Sequence, residues 1–151
     1  METLRSVFVI IRLLLGSILV VSGFEKLISP YQNFLYVVQS YDMLPASLEG
    51  WVAKVFPWLE FFIGVFVVLG LWLKKILWAQ AGIFLVFILV VGQALVRRLP
   101  LSECGCFGDL ISFPPQTVIV MDIGFFVLTC LCLMRVKETN RFSLDRLFGE
   151  G

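Results

Sequence analysis

The sequence predicts an all-α integral membrane protein built as a bundle of four transmembrane helices. The chain has 151 residues, of which 60% are hydrophobic and only 15% are charged, and its mean hydropathy is +0.97. An average soluble domain is roughly half apolar and a quarter charged. Because a chain of this size exposes a large share of its surface, the surplus apolar side chains must face lipid. Four apolar stretches are each about 20 residues long, the length that crosses a bilayer.

The four predicted spans cover residues 6–24, 51–72, 76–96 and 117–136. Three of them contain ionisable side chains: Arg12 in the first, Lys54 and Glu60 in the second, and Asp122 in the fourth. The spans use about half the chain, so we expect a single membrane domain over residues 1–151. The first stretch is similar to a cleavable secretory signal, but a charge interrupts its apolar core and three further spans follow, so we interpret it as a span.

The positive charges at the span ends predict the orientation. Eight of the 12 Lys and Arg residues fall on the side of the termini and four on the other side, which places both termini in the cytoplasm. The connections over residues 25–50 and 97–116 then lie outside, and a tight turn at Lys74 and Lys75 joins the second and third spans. Short connections favour antiparallel neighbours in a compact bundle.

The first outer connection has the pattern of an amphipathic helix. After Pro30, apolar and aromatic side chains recur at helical spacing: Tyr31, Phe34, Leu35, Val38, Tyr41 and Leu44. This predicts a helix lying in the membrane interface. It either covers the outer end of the bundle or forms one wall of a binding site.

The second outer connection carries the residues with the clearest chemistry, in the run Leu-Ser-Glu-Cys-Gly-Cys-Phe-Gly-Asp over residues 101–109. A disulfide between Cys104 and Cys106 closes a very small ring, and strained disulfides tend to be labile and oxidising. Gly105 and Gly108 allow the backbone angles of a tight loop. The pair is therefore a candidate for thiol–disulfide exchange.

Two arginines at the end of the third span, Arg97 and Arg98, are candidates to stabilise a thiolate in this loop. The alternatives are binding of a soft metal such as Cu(I) or Zn, or a purely structural bridge. A bridge over so short a loop would stabilise little, and two cysteines without histidine cannot complete a tetrahedral zinc site. The sequence contains no His, which also excludes His-ligated haem and His-dependent catalytic dyads and triads.

The other two cysteines, Cys130 and Cys132, lie inside the fourth span. Residues two apart point to different faces of a helix, so they cannot pair with each other, and packing is their simplest role. The alternative is an electron relay to the outer pair. Since Cys130 lies about 20 Å along the helix from Thr117, a relay needs a quinone-like cofactor or a large movement.

Ionisable groups inside a span are costly and mark either a site or an internal ion pair. Glu60, Asp122 and Lys26 are all predicted in the outer half of the bundle, which suggests a polar pocket beneath the cysteine loop. Glu60 either forms an ion pair with Lys26 or Arg97, or carries the proton that thiol chemistry must place somewhere. Arg12, in the inner half, is expected to extend to the cytoplasmic interface.

Several short runs resemble one family of membrane proteins. The DoxX-like four-helix proteins have similar patterns in their first two spans, here Arg12 with Leu13 to Gly16, Ser22-Gly23, Lys26-Leu27, Pro57-Trp58-Leu59-Glu60, Gly64 and Leu69-Gly70. The loop Cys104-Gly105-Cys106-Phe107-Gly108 resembles the signature of their MauE branch, the methylamine-utilisation membrane proteins. The resemblance covers all four spans.

The resemblance implies a redox-associated protein of the bacterial plasma (inner) membrane. Such a protein would assist disulfide formation in, or maturation of, an exported partner, such as the disulfide-rich small subunit of methylamine dehydrogenase. Relatives often accompany thioredoxin-like exported proteins. The residues that carry over are Cys104, Cys106, Glu60, Arg12 and Lys26.

Taken together, we predict that Cys104 and Cys106 exchange disulfides with a thioredoxin-like or disulfide-containing protein outside the cytoplasm. Glu60 would carry a proton, and a quinone is a possible cofactor. The alternatives are a noncatalytic membrane assembly subunit whose cysteines only fix the loop, and a small-molecule or soft-metal carrier. Nucleic acid is excluded as a partner, since a net charge of +1 leaves no basic face to bind a phosphate backbone.

Overall fold

The computed structural model describes residues 2–99 and 114–139, and side chains from residue 6 onward. The part of the chain so described is all-α and forms six helices. Their bounds are α1 Glu2–Ile28, α2 Tyr31–Ser40, α3 Ala46–Leu69, α4 Leu73–Val96, α5 Pro115–Met134 and α6 Val136–Thr139. Four of them are long and apolar enough to cross a membrane: Ser6–Ile28 within α1, and all of α3, α4 and α5. The predicted class, an all-α protein with four candidate spans, is confirmed.

Helix α3, which contains most of the predicted second span, begins and ends earlier than that span, and the predicted position of the turn after it is wrong. The helix begins at Ala46, five residues before Trp51, because Pro45 has an extended backbone and supplies the N-cap. It ends at Leu69, because Gly70 adopts a φ of 70° and its N–H donates to the carbonyls of Phe66 and Val67, a common glycine termination. The turn therefore lies at residues 70–72, and Lys74 and Lys75 belong to α4.

Glycines bring α1 and α3 unusually close. A Cβ atom added to Gly23 would lie 2.6 Å from the backbone nitrogen of Phe61, and one added to Gly64 would lie 2.7 Å from that of Val20. Small residues allow this close approach between helix backbones in membranes. The buried residues of α3 recur every three or four positions and form one stripe: Ala53, Pro57, Glu60, Gly64 and Val67.

The helix predicted after Pro30 is confirmed as α2, which packs mainly against α3. The six residues predicted on its apolar face are buried or half-buried, whereas Tyr36 is 67% exposed. The hydroxyl of Tyr31 donates to the carbonyl of Gly50 at 3.4 Å. Its location in the membrane interface stays a prediction.

The two ends of the bundle are named here by their connections. The loop end is where α4 ends at Val96 and α5 begins at Pro115, and the turn end is where residues 70–72 join α3 to α4. Apolar contacts form one cluster near each end and one between them. All four tryptophans are exposed outside this core, as expected of helices that face lipid.

Candidate functional site

A buried polar cluster lies between α1, α3 and α5. The ammonium nitrogen of Lys26 lies 3.1 Å from Glu60 Oε2 and donates to Ser22 Oγ at 2.6 Å. The Ser22 hydroxyl donates in turn to Glu60 Oε1 at 3.0 Å. The side chains of Lys26 and Glu60 are only 1% and 0% exposed. These three residues and Asp122 are called the central cluster below.

The packing of α1 against α3 explains why Lys26 reaches Glu60. Ser22 and Lys26 are four residues apart and share one face of α1. Gly23 is adjacent to Ser22, and Gly64 lies one turn from Glu60, so the close contact between the two backbones occurs on both sides of the ion pair. The sequence left Lys26 and Arg97 open as partners, and the structure selects Lys26.

Asp122, on α5, lies beside the Lys26–Glu60 ion pair. It is 2% exposed and lines a small cavity together with Ser22, Glu60, Phe84 and Phe87, among others. The cavity has a volume of about 10 Å³, roughly the volume that one water molecule needs. Among the described residues, Asp122 Oδ2 is buried with no hydrogen-bond partner.

The cluster lies deeper than the sequence indicated. Glu60 is fourteen residues from the first residue of α3 and nine from its last, so it falls just beyond the middle of the helix as counted from the loop end. Its location in the outer half of the bundle stays a prediction. Asp122 lies seven residues into the 20-residue α5.

Tyr41 covers the cluster toward the loop end. It is buried and packs with Val91, Ala94 and Val118, the last of which is one turn from Asp122. Burial is the main cause that raises the pKa of Tyr41, to about 12. Its hydroxyl therefore stays protonated through the physiological range. The sequence treated this residue only as part of an apolar helix face.

An apolar groove of about 360 Å³ runs between α2, α3 and α4. Its lining includes three phenylalanines, Phe34, Phe56 and Phe87, which we call the aromatic wall. The rings of Phe34 and Phe56 stack at 6.5 Å, and Phe56 meets Phe87 edge-on at 5.5 Å. Because Phe87 also lines the small cavity at Asp122, the aromatic wall separates the groove from the central cluster.

The wall also contacts the cation of the cluster. The Lys26 ammonium lies 5.7 Å from the centroid of the Phe34 ring, within the range of a cation–π contact. On the other side of the groove, Val86 is 44% exposed at mid-helix. A position so deep in a candidate span faces lipid, so a lipophilic molecule could enter the groove sideways.

Comparison with known protein families decides where the chain belongs. The family model described as methylamine utilisation protein MauE matches residues 4–135. The chain belongs to the MauE family. It is therefore a multi-pass membrane protein with four candidate spans, of a family described by methylamine utilisation. No curated protein and no solved structure matches the chain.

The match contains every site residue that the sequence predicted for this MauE protein. Cys104, Gly105, Cys106 and Gly108 lie outside the described residues, and their role stays a prediction. The residues on either side of this segment, Leu99 and Pro114, both line a cavity at the loop end. Thus the described chain leads into and out of the cysteine loop at that end of the bundle.

The arginines of the MauE chain that were predicted to stabilise a thiolate lie at the same end. Arg97 donates to the carboxylate and the carbonyl of Asp42 at 2.9 and 3.0 Å, an exposed pair that ties α4 to the connection before α3. Arg98 lines the loop-end cavity beside Leu99 and Pro114. Their action on the cysteines stays a prediction.

At the turn end of the MauE bundle, Arg12 is 1% exposed and donates to the carbonyl of Thr139 at 3.0 Å. The terminal carbonyl of α6, a favoured partner for a cation, thus holds the guanidinium, and the extension of Arg12 to the cytoplasmic interface stays a prediction. Cys130 and Cys132 are free thiols, half-buried and fully buried.

Proposed function

We propose that this MauE-family protein passes disulfide bonds from Cys104 and Cys106 to an exported protein. One observation carries the proposal beyond the family: Lys26, Glu60 and Asp122 are buried together in the candidate spans. Ionisable groups are costly there and are kept mainly for function. Disulfide formation releases protons. A buried acid–base cluster in the same domain as the cysteine loop can take up and pass on these protons.

The proposed exchange takes place in two steps. A thiolate of the exported partner attacks one sulfur of the Cys104–Cys106 disulfide, which breaks that bond and forms a mixed disulfide. The second thiolate of the partner then attacks the partner's sulfur in the mixed disulfide, which releases the cysteine of this chain as a thiolate. The partner leaves oxidised, the cysteine pair is left as a dithiol, and two electrons have moved to it. Arg97 and Arg98 stabilise the thiolate that departs.

Regeneration of the disulfide needs a two-electron acceptor, and we propose a membrane quinone. The dithiol loses two electrons and two protons, and the quinone takes up both to become a quinol. The apolar groove supports this choice, since it faces lipid at Val86 and has the aromatic wall for a flat ring. Beyond the wall lies the central cluster, which can exchange protons.

The exchange is tested with Cys104→Ser/Cys106→Ser. In lipid nanodiscs, the oxidised protein should convert a two-cysteine reporter peptide to its disulfide in a single turnover, and the double variant should form none. Cys130→Ala/Cys132→Ala is the matched control, which should behave as the native chain. Mass spectrometry after thiol trapping follows both reactants.

Two results would contradict this reading. Equal peptide oxidation by the double serine variant would remove the cysteine pair from the chemistry. Partner maturation that persists in cells with the double variant would favour the assembly-subunit alternative. The same variant checks the orientation: a membrane-impermeant maleimide should label the native chain in intact, reduced cells more strongly than the double variant.

The quinone site is tested with Val90→Trp, which places an indole in the groove. We expect the quinone concentration for half-maximal reoxidation of the dithiol to rise about tenfold or more, equal to a binding loss of ~1.4 kcal/mol. Val120→Trp is the control, because Val120 is 68% exposed on α5 and faces lipid away from the groove. Equal quinone dependence in both variants would exclude the groove.

A further inference from the structure

We infer that Asp122 is a neutral carboxylic acid that holds one transferable proton beside the Lys26–Glu60 ion pair. The inference deepens the proposed function, because it names the proton carrier that the exchange chemistry requires. The sequence had given that role to Glu60. The protonation state itself follows from the geometry of the cluster and is independent of what the cysteines do.

The first step of the argument is a count of charges. Glu60 and Asp122 are 0% and 2% exposed and line one small cavity, but in the described part of the chain a single buried cation, Lys26, lies beside them, paired with Glu60. Two carboxylates and one ammonium leave one negative charge uncompensated. An unpaired buried charge is expensive in protein, and more so within lipid, so such a group instead keeps its proton.

No other cation in the described chain can supply the missing charge. Of its lysines and arginines, only Lys26 and Arg12 are buried, and Arg12 donates to Thr139 near the turn end. The segment over residues 100–113 contains neither Lys nor Arg, so the cysteine loop cannot bring one. Glu25, also buried on α1, accepts from Ser29 and, being an acid, supplies no positive charge.

The groups around the two carboxyls decide which one is neutral. Glu60 receives the Lys26 ammonium and the Ser22 hydroxyl, with contacts of 3.1 and 3.0 Å. Oε2 of Glu60 and Oδ2 of Asp122 both have no hydrogen-bond partner among the described residues, but Glu60 Oε2 has the ion pair with Lys26, and no such pair holds Asp122 there. Two donors stabilise a carboxylate at Glu60, whereas Asp122 has the environment of a protonated acid.

The remaining neighbours of Asp122 do not change this balance. From the connection between α2 and α3 comes Tyr41, a phenol that burial keeps protonated and neutral. From α4 come Phe84 and Phe87, which carry no charge. Among the residues that the structure describes, the titratable groups that face Asp122 are thus Lys26, Glu60 and Tyr41, with the hydroxyl of Ser22 beside them.

The position of Asp122 suits a carrier that passes protons one at a time. Its cavity has room for about one water molecule, Tyr41 lies toward the loop end, and Phe87 separates it from the groove. In the proposed cycle two protons follow two electrons from the dithiol to the quinone. Asp122 gives up its proton on the side of the groove and regains one from the side of the cysteine loop.

Infrared spectroscopy of the full chain in a detergent that has no ester or carboxyl group, whose carbonyl stretch would overlap that of the acid, tests the inference. At about pH 7 an exposed aspartate is fully ionised, so a carbonyl stretch of a protonated carboxylic acid reports a buried neutral group. We expect such a band in the native protein. It should shift when the chain is produced with carboxyl-labelled ¹³C-aspartate and stay in place with labelled glutamate.

The variants complete the assignment. Asp122→Asn should remove the band, and Asp42→Asn, the same change at an exposed aspartate, should leave it. A band that shifts with labelled glutamate would give the proton to a glutamate, and absence of any band in the native chain would overturn the inference. Labelling of the native protein decides the question even if Asp122→Asn fails to fold. Peptide oxidation by Cys104 and Cys106 is measured separately, so failure of the exchange proposal is distinguishable.

Discussion

Lys26→Met should destabilise the bundle by about 3–5 kcal/mol, because Glu60 loses its counter-charge and must either stay charged in the bundle or take up a proton at neutral pH. The lysine side chain is 1% exposed and lies 3.1 Å from that carboxylate, so neither water nor an exposed cation replaces it. Acidification should reduce the loss, since a protonated Glu60 can be buried without a partner. The measurement is the free energy of unfolding in mixed micelles, taken at two pH values.

Two further variants distinguish the effect of breaking the ion pair from the effect of removing a positive charge. Lys74→Met removes the same charge from an exposed position of α4 and should change the unfolding free energy by less than about 0.5 kcal/mol. Lys26→Met/Glu60→Met replaces the whole pair by apolar side chains and should recover most of the stability. If the double variant were as unstable as Lys26→Met alone, the loss would come from packing around residue 26 and not from an unpaired charge.

Hydropathy was sufficient to predict the fold class, because a stretch of about 20 apolar residues has few alternatives in a chain so rich in them. The bounds of the helices are harder to predict from the sequence than the fold class. The second span was begun at Trp51, where the strongly apolar run starts, although Pro45 marks the start of the helix. Gly70, a common terminator, is the signal for the end of this helix, and it is a better guide to the turn than the lysine pair that follows.

The composition of the central cluster could be predicted only in part. Glu60, Asp122 and Lys26 stood out as ionisable residues in or beside apolar stretches. The pairing of these residues depends on the relative position of the helices along their axes. Contacts at Gly23 and Gly64 set that position for α1 and α3, and a single sequence does not specify them. The position of Tyr41 over Asp122 depends on α2 folding back toward α4, so nothing local to Tyr41 could indicate it.

Those glycine contacts give the second large prediction, that Gly23→Ala weakens both the bundle and its ion pair. The added Cβ atom would lie 2.6 Å from the nitrogen of Phe61 and 2.9 Å from the carbonyl oxygen of Pro57. Both are backbone atoms, so α1 and α3 must separate to admit the methyl group. Overpacking of this kind destabilises by about 1–3 kcal/mol, and separation also draws Lys26 away from Glu60.

Alanine at two other helical glycines provides the control, since Gly82 and Gly124 have nothing within 4 Å of an added Cβ atom. There the substitution should be neutral or stabilising by up to ~1 kcal/mol, because alanine favours a helix more than glycine does. All three variants replace a glycine in a helix of the same chain, so their difference isolates the contact between α1 and α3. If Gly23→Ala and Gly82→Ala had equal free energies of unfolding, the contact between α1 and α3 would have space for the added methyl group. The glycine would then not be what holds Lys26 within reach of Glu60.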